Sequence, residues 1–259
     1  MNTTILKISG LSVSFGGILA LDNLDLDIKQ KEIAAVIGPN GAGKTTFFNC
    51  LTGLYAPSAG EILFYPGRDA EAVSLKGMKP HQITEKGVAR TFQNIRLFPG
   101  MTTLENVMIG RHCRSRASIL GALFRNAATR REEQEIIDTS YTILERVGLA
   151  GYVNELAGNL PYGAQRRLEM ARALAAEPLL LLLDEPAAGM NPQETLNIME
   201  LIGEIAADGL TILLIEHDMK LVMSLCQRIF VIDYGRKIAQ GSPGEIRSNP
   251  DVIKAYLGA

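Results

Sequence analysis

A chain of 259 residues is long enough for one large domain, or for a core that carries a subdomain. Its 47% hydrophobic and 21% charged residues describe an ordinary globular protein, and a formal net charge of −2 gives nucleic acid no electrostatic footprint. Neither a secretory signal nor a membrane span is expected: Met1-Asn-Thr-Thr lacks a basic and an apolar region, and residues 179–183, the most apolar run, fall far short of the ~20 residues that cross a bilayer.

Residues 5–28 alternate apolar and polar, a period of two that predicts antiparallel strands with one buried face. Phe15-Gly-Gly falls between them, at a turn that exposes an aromatic edge. Ile33–Ile37 is an apolar run of strand length, and residues 46–52 read as the first turns of a helix. Between these two lies Gly38-Pro39-Asn40-Gly41-Ala42-Gly43-Lys44-Thr45-Thr46, which fits G-x-x-x-x-G-K-[ST]. That spacing builds a loop whose backbone N–H groups converge on a polyphosphate, with glycines permitting close approach and positive φ. Lys44 is placed to reach the β- and γ-phosphates and the Thr45 hydroxyl to bind Mg²⁺, while the helix N-terminus adds its positive dipole end. A chance glycine-rich turn would not need this strand before it and this helix after it.

Further on, residues 57–60 form a turn and 61–64 a short strand; residues 66–90 read as a surface segment with a short helix near 80–86. Gln93 stands alone among apolar neighbours, and Thr103 is the expected N-cap of a helix carrying Leu104, Val107 and Met108. Residues 111–135 mix Arg111, Arg114, Arg116, Arg125, Arg130 and Arg131 with the apolar run 119–124. Two readings of this stretch stay open, a basic amphipathic membrane-facing segment and a solvated helical insertion. Apolar residues at three- and four-residue steps predict a helix over 132–149. After Pro161, helices at 165–176, 194–207 and 219–225 alternate with apolar strands at 179–183, 211–215 and 229–232, which predicts a parallel sheet with crossovers. A hairpin return at 235–241 and a closing helical segment at 243–257 end the chain. The expected organisation is one domain over 1–259: an α/β core from 1–92 and 160–259, interrupted by a helical subdomain at 93–159. The three scattered cysteines, Cys50, Cys113 and Cys226, propose neither disulfide nor metal and read as small apolar residues.

The 179–183 strand runs into Asp184-Glu185-Pro186. In a phosphate-loop protein the strand-end Asp holds Mg²⁺, so Asp184 takes that role, and Glu185 is placed to polarise the attacking water as general base. An acidic pair that merely opens a helix would leave the coincidence with the phosphate loop unexplained. His217 follows the 211–215 strand, at the edge where ligands bind in open α/β sheets. From there an imidazole can donate to a γ-phosphate oxygen and so distinguish ATP from ADP.

In this order the motifs resemble, nearly end to end, the ATPase subunits of ABC transporters. The resemblance implies a P-loop NTPase core with an N-terminal antiparallel β subdomain and an inserted α-helical subdomain, using ATP and Mg²⁺. It makes Phe15 the aromatic that stacks on adenine, and Gln93 the glutamine that opens the helical subdomain and joins the Mg²⁺ shell. It places Leu160-Pro161-Tyr162-Gly163-Ala164 at the signature position, residues 188–192 at the dimer-contact loop and His217 at the switch histidine. Within the family, Arg90-Thr-Phe-Gln-Asn-Ile-Arg-Leu-Phe, Tyr162-Gly-Ala-Gln-Arg-Arg-Leu-Glu, Asp184-Glu-Pro-Ala-Ala-Gly-Met-Asn-Pro and Ile215-Glu-His-Asp-Met-Lys-Leu-Val-Met are similar to the branched-chain amino-acid importer ATPases, as is the ending over 246–258. The implied assembly is a peripheral subunit on the cytoplasmic face of the inner membrane. It would pair with two membrane permeases, with a second, paralogous ATPase or another copy of itself, and through the permeases with an external solute-binding protein; nucleic acid is not a partner.

The signature departs from the family's Leu-Ser-Gly-Gly-Gln. Pro161 supplies neither a hydroxyl nor an N–H, although it suits the first turn of a helix. The departure leaves open whether this signature completes an active or a degenerate ATP site, and favours a heterodimer. Other ABC systems (another amino acid, urea or amides, lipopolysaccharide export) and a soluble non-transport ABC ATPase are the alternatives. A nucleotide kinase would account for the phosphate loop but not for Gln93, the signature or His217.

Overall fold

The computed structural model describes residues 3–67, 70–114 and 127–257. β1 (Thr4–Phe15) and β2 (Ile18–Lys29) form the expected antiparallel pair around Gly16-Gly17, with Leu6, Ile8, Leu11 and Val13 buried on one strand and Leu21, Leu24, Leu26 and Ile28 on the other. After β3 (Ile33–Ile37) and α1 (Lys44–Leu51), β4 (Ala59–Phe64) adds to the free side of β1 and β5 (Val73–Ser74) to β4, giving a four-stranded antiparallel sheet in the order β2-β1-β4-β5. α2 (Pro80–Lys86) occupies the span expected for a short helix.

The second sheet has six strands in the order β10-β9-β3-β8-β7-β6. Here β6 is Val88–Arg90, β7 Leu180–Asp184, β8 Thr211–Ile215, β9 Arg228–Asp233 and β10 Arg236–Gly241. All neighbours pair in parallel except β10, which returns antiparallel to β9. β3, β7 and β8 are buried at all five of their positions, as strands covered on both faces must be. Alternate side chains of this sheet enter two cores. Ala35, Ile37, Leu181, Leu183 and Leu214 pack under the helices. Val36, Leu182, Leu213 and Ile215 pack with Phe47 and Phe48 of α1 and with the antiparallel sheet. α1, which carries the phosphate-loop lysine, is thus pinned by two buried phenylalanines.

Helices α3 (Thr103–Arg111) and α4 (Ala127–Arg146) lie in the 93–159 segment and pack on α5 (Tyr162–Leu174). α6 (Pro192–Ala207), α7 (Met219–Leu225), α8 (Pro243–Arg247) and α9 (Pro250–Leu257) complete the chain. Among the described residues no helix is long and apolar enough to cross a membrane. Residues 115–126 of the arginine-rich stretch, with the apolar run 119–124, lie outside the described residues.

Several boundaries differ from the sequence expectation for identifiable reasons. The cap of α3 is Thr102, not Thr103: the Thr102 hydroxyl accepts from the Glu105 N–H at 3.2 Å and Glu105 returns to the Thr102 N–H at 2.7 Å. Thr103 is fully buried and donates to the Glu155 carbonyl at 3.1 Å instead. Residues 88–90, read as part of a surface segment, form a sheet strand with Val88 and Ala89 buried; three residues are too few to show a period. The helix expected over 132–149 begins at Ala127 and stops at Arg146, before a turn at Gly148, and the closing segment breaks in two before Pro250.

Burial raises the Cys50 thiol to about 11 and the Cys226 thiol to about 12, while half-buried Cys113 is also raised by burial but pulled back by Arg114. At pH 8 a thiol–disulfide reagent is therefore expected to label Cys113 first, and Cys50 and Cys226 only after denaturation. Equal labelling rates at the three positions in the folded protein would contradict this packing.

Candidate functional site

Parallel pairing fixes the level at which strands end. Val36 pairs with Ile215, Ile37 with Val231 and Asp184 with Ile215. The loops after β3, β7 and β8 therefore leave the sheet along one edge, and the phosphate loop, Glu185 and His217 leave with them.

The loop itself is shaped by two glycines. A Cβ on Gly38 would stand 1.9 Å from the Ile232 carbonyl oxygen, and one on Gly43, at φ 103°, would stand 2.6 Å from that of Ala20. Gly43 caps α1 without a side-chain hydrogen bond, so the first-turn N–H groups of α1 are left for a ligand. Lys44 Nζ crosses the loop and donates to the Gly38 and Pro39 carbonyls at 2.7 and 2.9 Å. Burial pulls its pKa down, and Glu185 and Asp184 push it back up. A cavity of about 640 Å³ opens beside the loop, lined by residues 40–46 with Ala20, Gln93, Glu185 and His217.

Across this cavity three side chains expected to act together do meet. Glu185 Oε2 accepts from Gln93 Nε2 at 2.9 Å, and Glu185 Oε1 lies 2.9 Å from His217 Nε2. Glu185 adopts φ 50°, a left-handed conformation that costs a non-glycine residue about 1–3 kcal/mol and persists where surrounding structure imposes it. Its N–H donates to the Ile215 carbonyl at 2.9 Å, and its own carbonyl accepts from Ala188 at 3.1 Å.

Asp184 sits deeper and is buried. Its carboxylate forms an ion pair with Arg90 at 2.5 Å. Arg90 also donates to Asn49 at 2.8 Å and lies over the rings of Phe48 and Phe92. Nothing in the sequence around Arg90 gives it a role of its own. The missing signal was β6 itself, because an arginine on a strand adjacent to β7 must face something at the strand end of Asp184.

Phe15 does not line the cavity. It is 45% exposed, packs edge-on against Tyr55 at 5.1 Å, and pairs in register with Ile18 on β2, the strand that brings Ala20 to the cavity wall. Leu160, Pro161, Tyr162 and Gly163 also lie away from the cavity, at the start of α5, where Pro161 is the N-cap. The Tyr162 hydroxyl donates to the Ala188 carbonyl at 2.8 Å and accepts from Arg166 Nη2 at 2.7 Å. Arg166 continues to the Gln93 carbonyl at 2.8 Å. Tyr162, one of three residues that depart from the signature pattern, thus ties three segments together within one chain.

Compared with known proteins, residues 21–188 match the family described as ABC transporter. The chain belongs to that family. Residues 236–259 additionally match a family described as branched-chain amino acid ATP-binding cassette transporter. Over the whole chain it is 49% identical to the high-affinity branched-chain amino acid transport ATP-binding proteins LivG of Salmonella typhimurium and BraF of Pseudomonas aeruginosa, covering 99% of each. A crystal structure of an ATP-binding cassette of an ABC transporter in its ADP conformation superposes with a TM-score of 0.84 at 31% identity, over 99% of this chain and 100% of that one. The fold is that of an ABC ATPase, and the protein is an ATPase that binds a nucleotide.

Removing one partner of a buried ion pair strands the other charge. Arg90→Ala is therefore expected to lower the unfolding free energy by about 3–5 kcal/mol, measured by urea denaturation. A loss below about 1 kcal/mol would mean that Asp184 is not dependent on Arg90.

Proposed function

We propose that this chain is the ATP-hydrolysing subunit of an importer of branched-chain amino acids, acting at the cytoplasmic face of the membrane on two permease subunits. The observation that carries the reading is the hydrogen-bonded trio of Gln93, Glu185 and His217 across the mouth of the phosphate-loop cavity. The transported solute rests on the relatives, which are named for branched-chain amino acid transport and match along the full chain.

In this reading the loop N–H groups and Lys44 hold the β- and γ-phosphates, and Phe15, exposed beside Tyr55, offers its face to adenine. Glu185 accepts the proton of the attacking water, and His217, held against Glu185, donates to the γ-phosphate oxygens. Thr45, Asp184 and Gln93 offer hydroxyl, carboxylate and amide oxygens, a hard donor set that fits Mg²⁺. An ion held by these three residues would supply positive charge against the negative charge that develops on the phosphoryl group. Asp184 has two carboxylate oxygens, so its pairing with Arg90 leaves it able to serve as a ligand.

Gln93 and residues 95–103 would contact a permease in this reading, so that nucleotide state is passed to the membrane subunits. The signature residues Leu160 to Gly163 do not line this chain's own cavity, which supports a head-to-tail pair in which they complete the site of a second, paralogous ATPase. An external solute-binding protein delivers the amino acid to the permeases.

Glu185→Gln is expected to lower ATP turnover by about 100-fold or more while nucleotide binding persists. Turnover near the parent level would remove Glu185 as general base. In the assembled transporter, turnover should rise with binding protein loaded with leucine, isoleucine or valine; stimulation by urea or amides instead would reassign the solute. Making the Glu→Gln change separately in this chain and in its partner tests the asymmetry. Unequal losses are expected, and equal abolition would show that the two sites work alike.

A further inference from the structure

Glu216 lies between the last residue of β8 and His217, and only 5% of it is exposed. A carboxylate so placed is costly unless its oxygens are hydrogen-bonded, and burial pushes its pKa up. Its acceptors are divided between two loops. Oε1 takes the N–H of Ala187, two residues after Glu185, at 2.9 Å, and Oε2 takes the N–H of His217 at 3.0 Å and that of Asp218 at 3.5 Å. The loop that carries Glu185 and the loop that carries His217 are therefore fastened to one buried side chain. Above that fastening, Glu185 Oε1 and His217 Nε2 stand 2.9 Å apart. The left-handed backbone of Glu185 also needs the chain after it to be held, and the Ala187 bond holds it.

We propose that Glu216 is a positioning residue for ATP hydrolysis: it sets the contact between Glu185 and His217 by fixing both loops from beneath, and touches neither nucleotide nor water. The proposal rests on the roles given above to Glu185 and His217.

The test uses the assembled transporter, with Glu216→Gln, His217→Ala and the double variant in this chain, and Glu185→Gln as control. A glutamine keeps the size of the side chain but offers only one acceptor oxygen, and its NH₂ faces an N–H that the carboxylate satisfied. Glu216→Gln is expected to lower kcat for ATP about tenfold with KM changed less than about twofold, and the double variant to fall no more than about twofold below His217→Ala alone. Glu216→Asp keeps two acceptor oxygens on a shorter stem and should recover part of the lost kcat. Losses that multiply in the double variant would overturn the proposal alone. So would a lower melting temperature with kcat unchanged in both Glu216 variants, which is the result of a purely structural role. Turnover that survives Glu185→Gln or His217→Ala would overturn the catalytic reading, and the proposal with it.

Discussion

Parallel pairing of β3 with β8, and of β8 with β7, is the constraint on which the rest of the structure depends. Each strand is short, fully buried and unable to slip without moving apolar side chains from one core to the other. Because the register is fixed, so is the height of three strand ends. The phosphate loop, the Asp184-Glu185 pair and the Glu216-His217 pair then emerge side by side although His217 follows Gly38 by 179 positions in the sequence. The chemistry is local in space only because the hydrophobic pattern of the strands is strict.

The same edge concentrates charge in a poorly solvated region. Asp184 is balanced by Arg90, Lys44 by loop carbonyls and by the carboxylates beyond it, and Glu216 by backbone N–H groups. Glu169 follows the same rule one layer away: it is buried, its pKa is raised by burial, and it accepts from the Phe92 and Arg96 N–H groups on either side of Gln93. Each buried charge is thus answered by a group on a different segment. The electrostatic cost of burial is offset only when those segments are in place, which makes the charges a test of correct assembly as well as parts of the site.

Much of this was legible in the sequence. Strands of Leu, Ile and Val ending in a glycine-rich loop, an acidic pair or a histidine carry both their secondary structure and their chemistry in the residues themselves. Glu185 and His217 are expected from order and type, Gln93 from the family resemblance, and the three converge. Arg90 and Glu216 were not seen as parts of the site, because a buried charge has no signature until its partner is known. Arg90 needed β6, a strand too short to announce itself. Glu216 needed the fold of the backbone after Glu185, since its partners are N–H groups that every residue carries. Phe15 ends β1 beside the expected turn, and its relation to the cavity depends on the β1–β2 register, which alternation alone does not specify across an irregular pair.

Tyr162 shows how a departure from a pattern acquires meaning from geometry. Read alone, the replacement of a small signature residue by tyrosine is a loss, since it removes the room and the backbone freedom that glycine offers. In the structure the phenol is spent on the Ala188 carbonyl and on Arg166, and Arg166 is spent on the carbonyls of Phe92 and Gln93. A helix start that does not line its own cavity is thereby joined, by side chains alone, to the loop after Glu185 and to the glutamine that touches Glu185. Any force that shifts the start of α5 must stretch these bonds or move the loops with it. A tyrosine with an arginine four residues on along α5 is long enough to make that connection. A glycine has no side chain with which to make it.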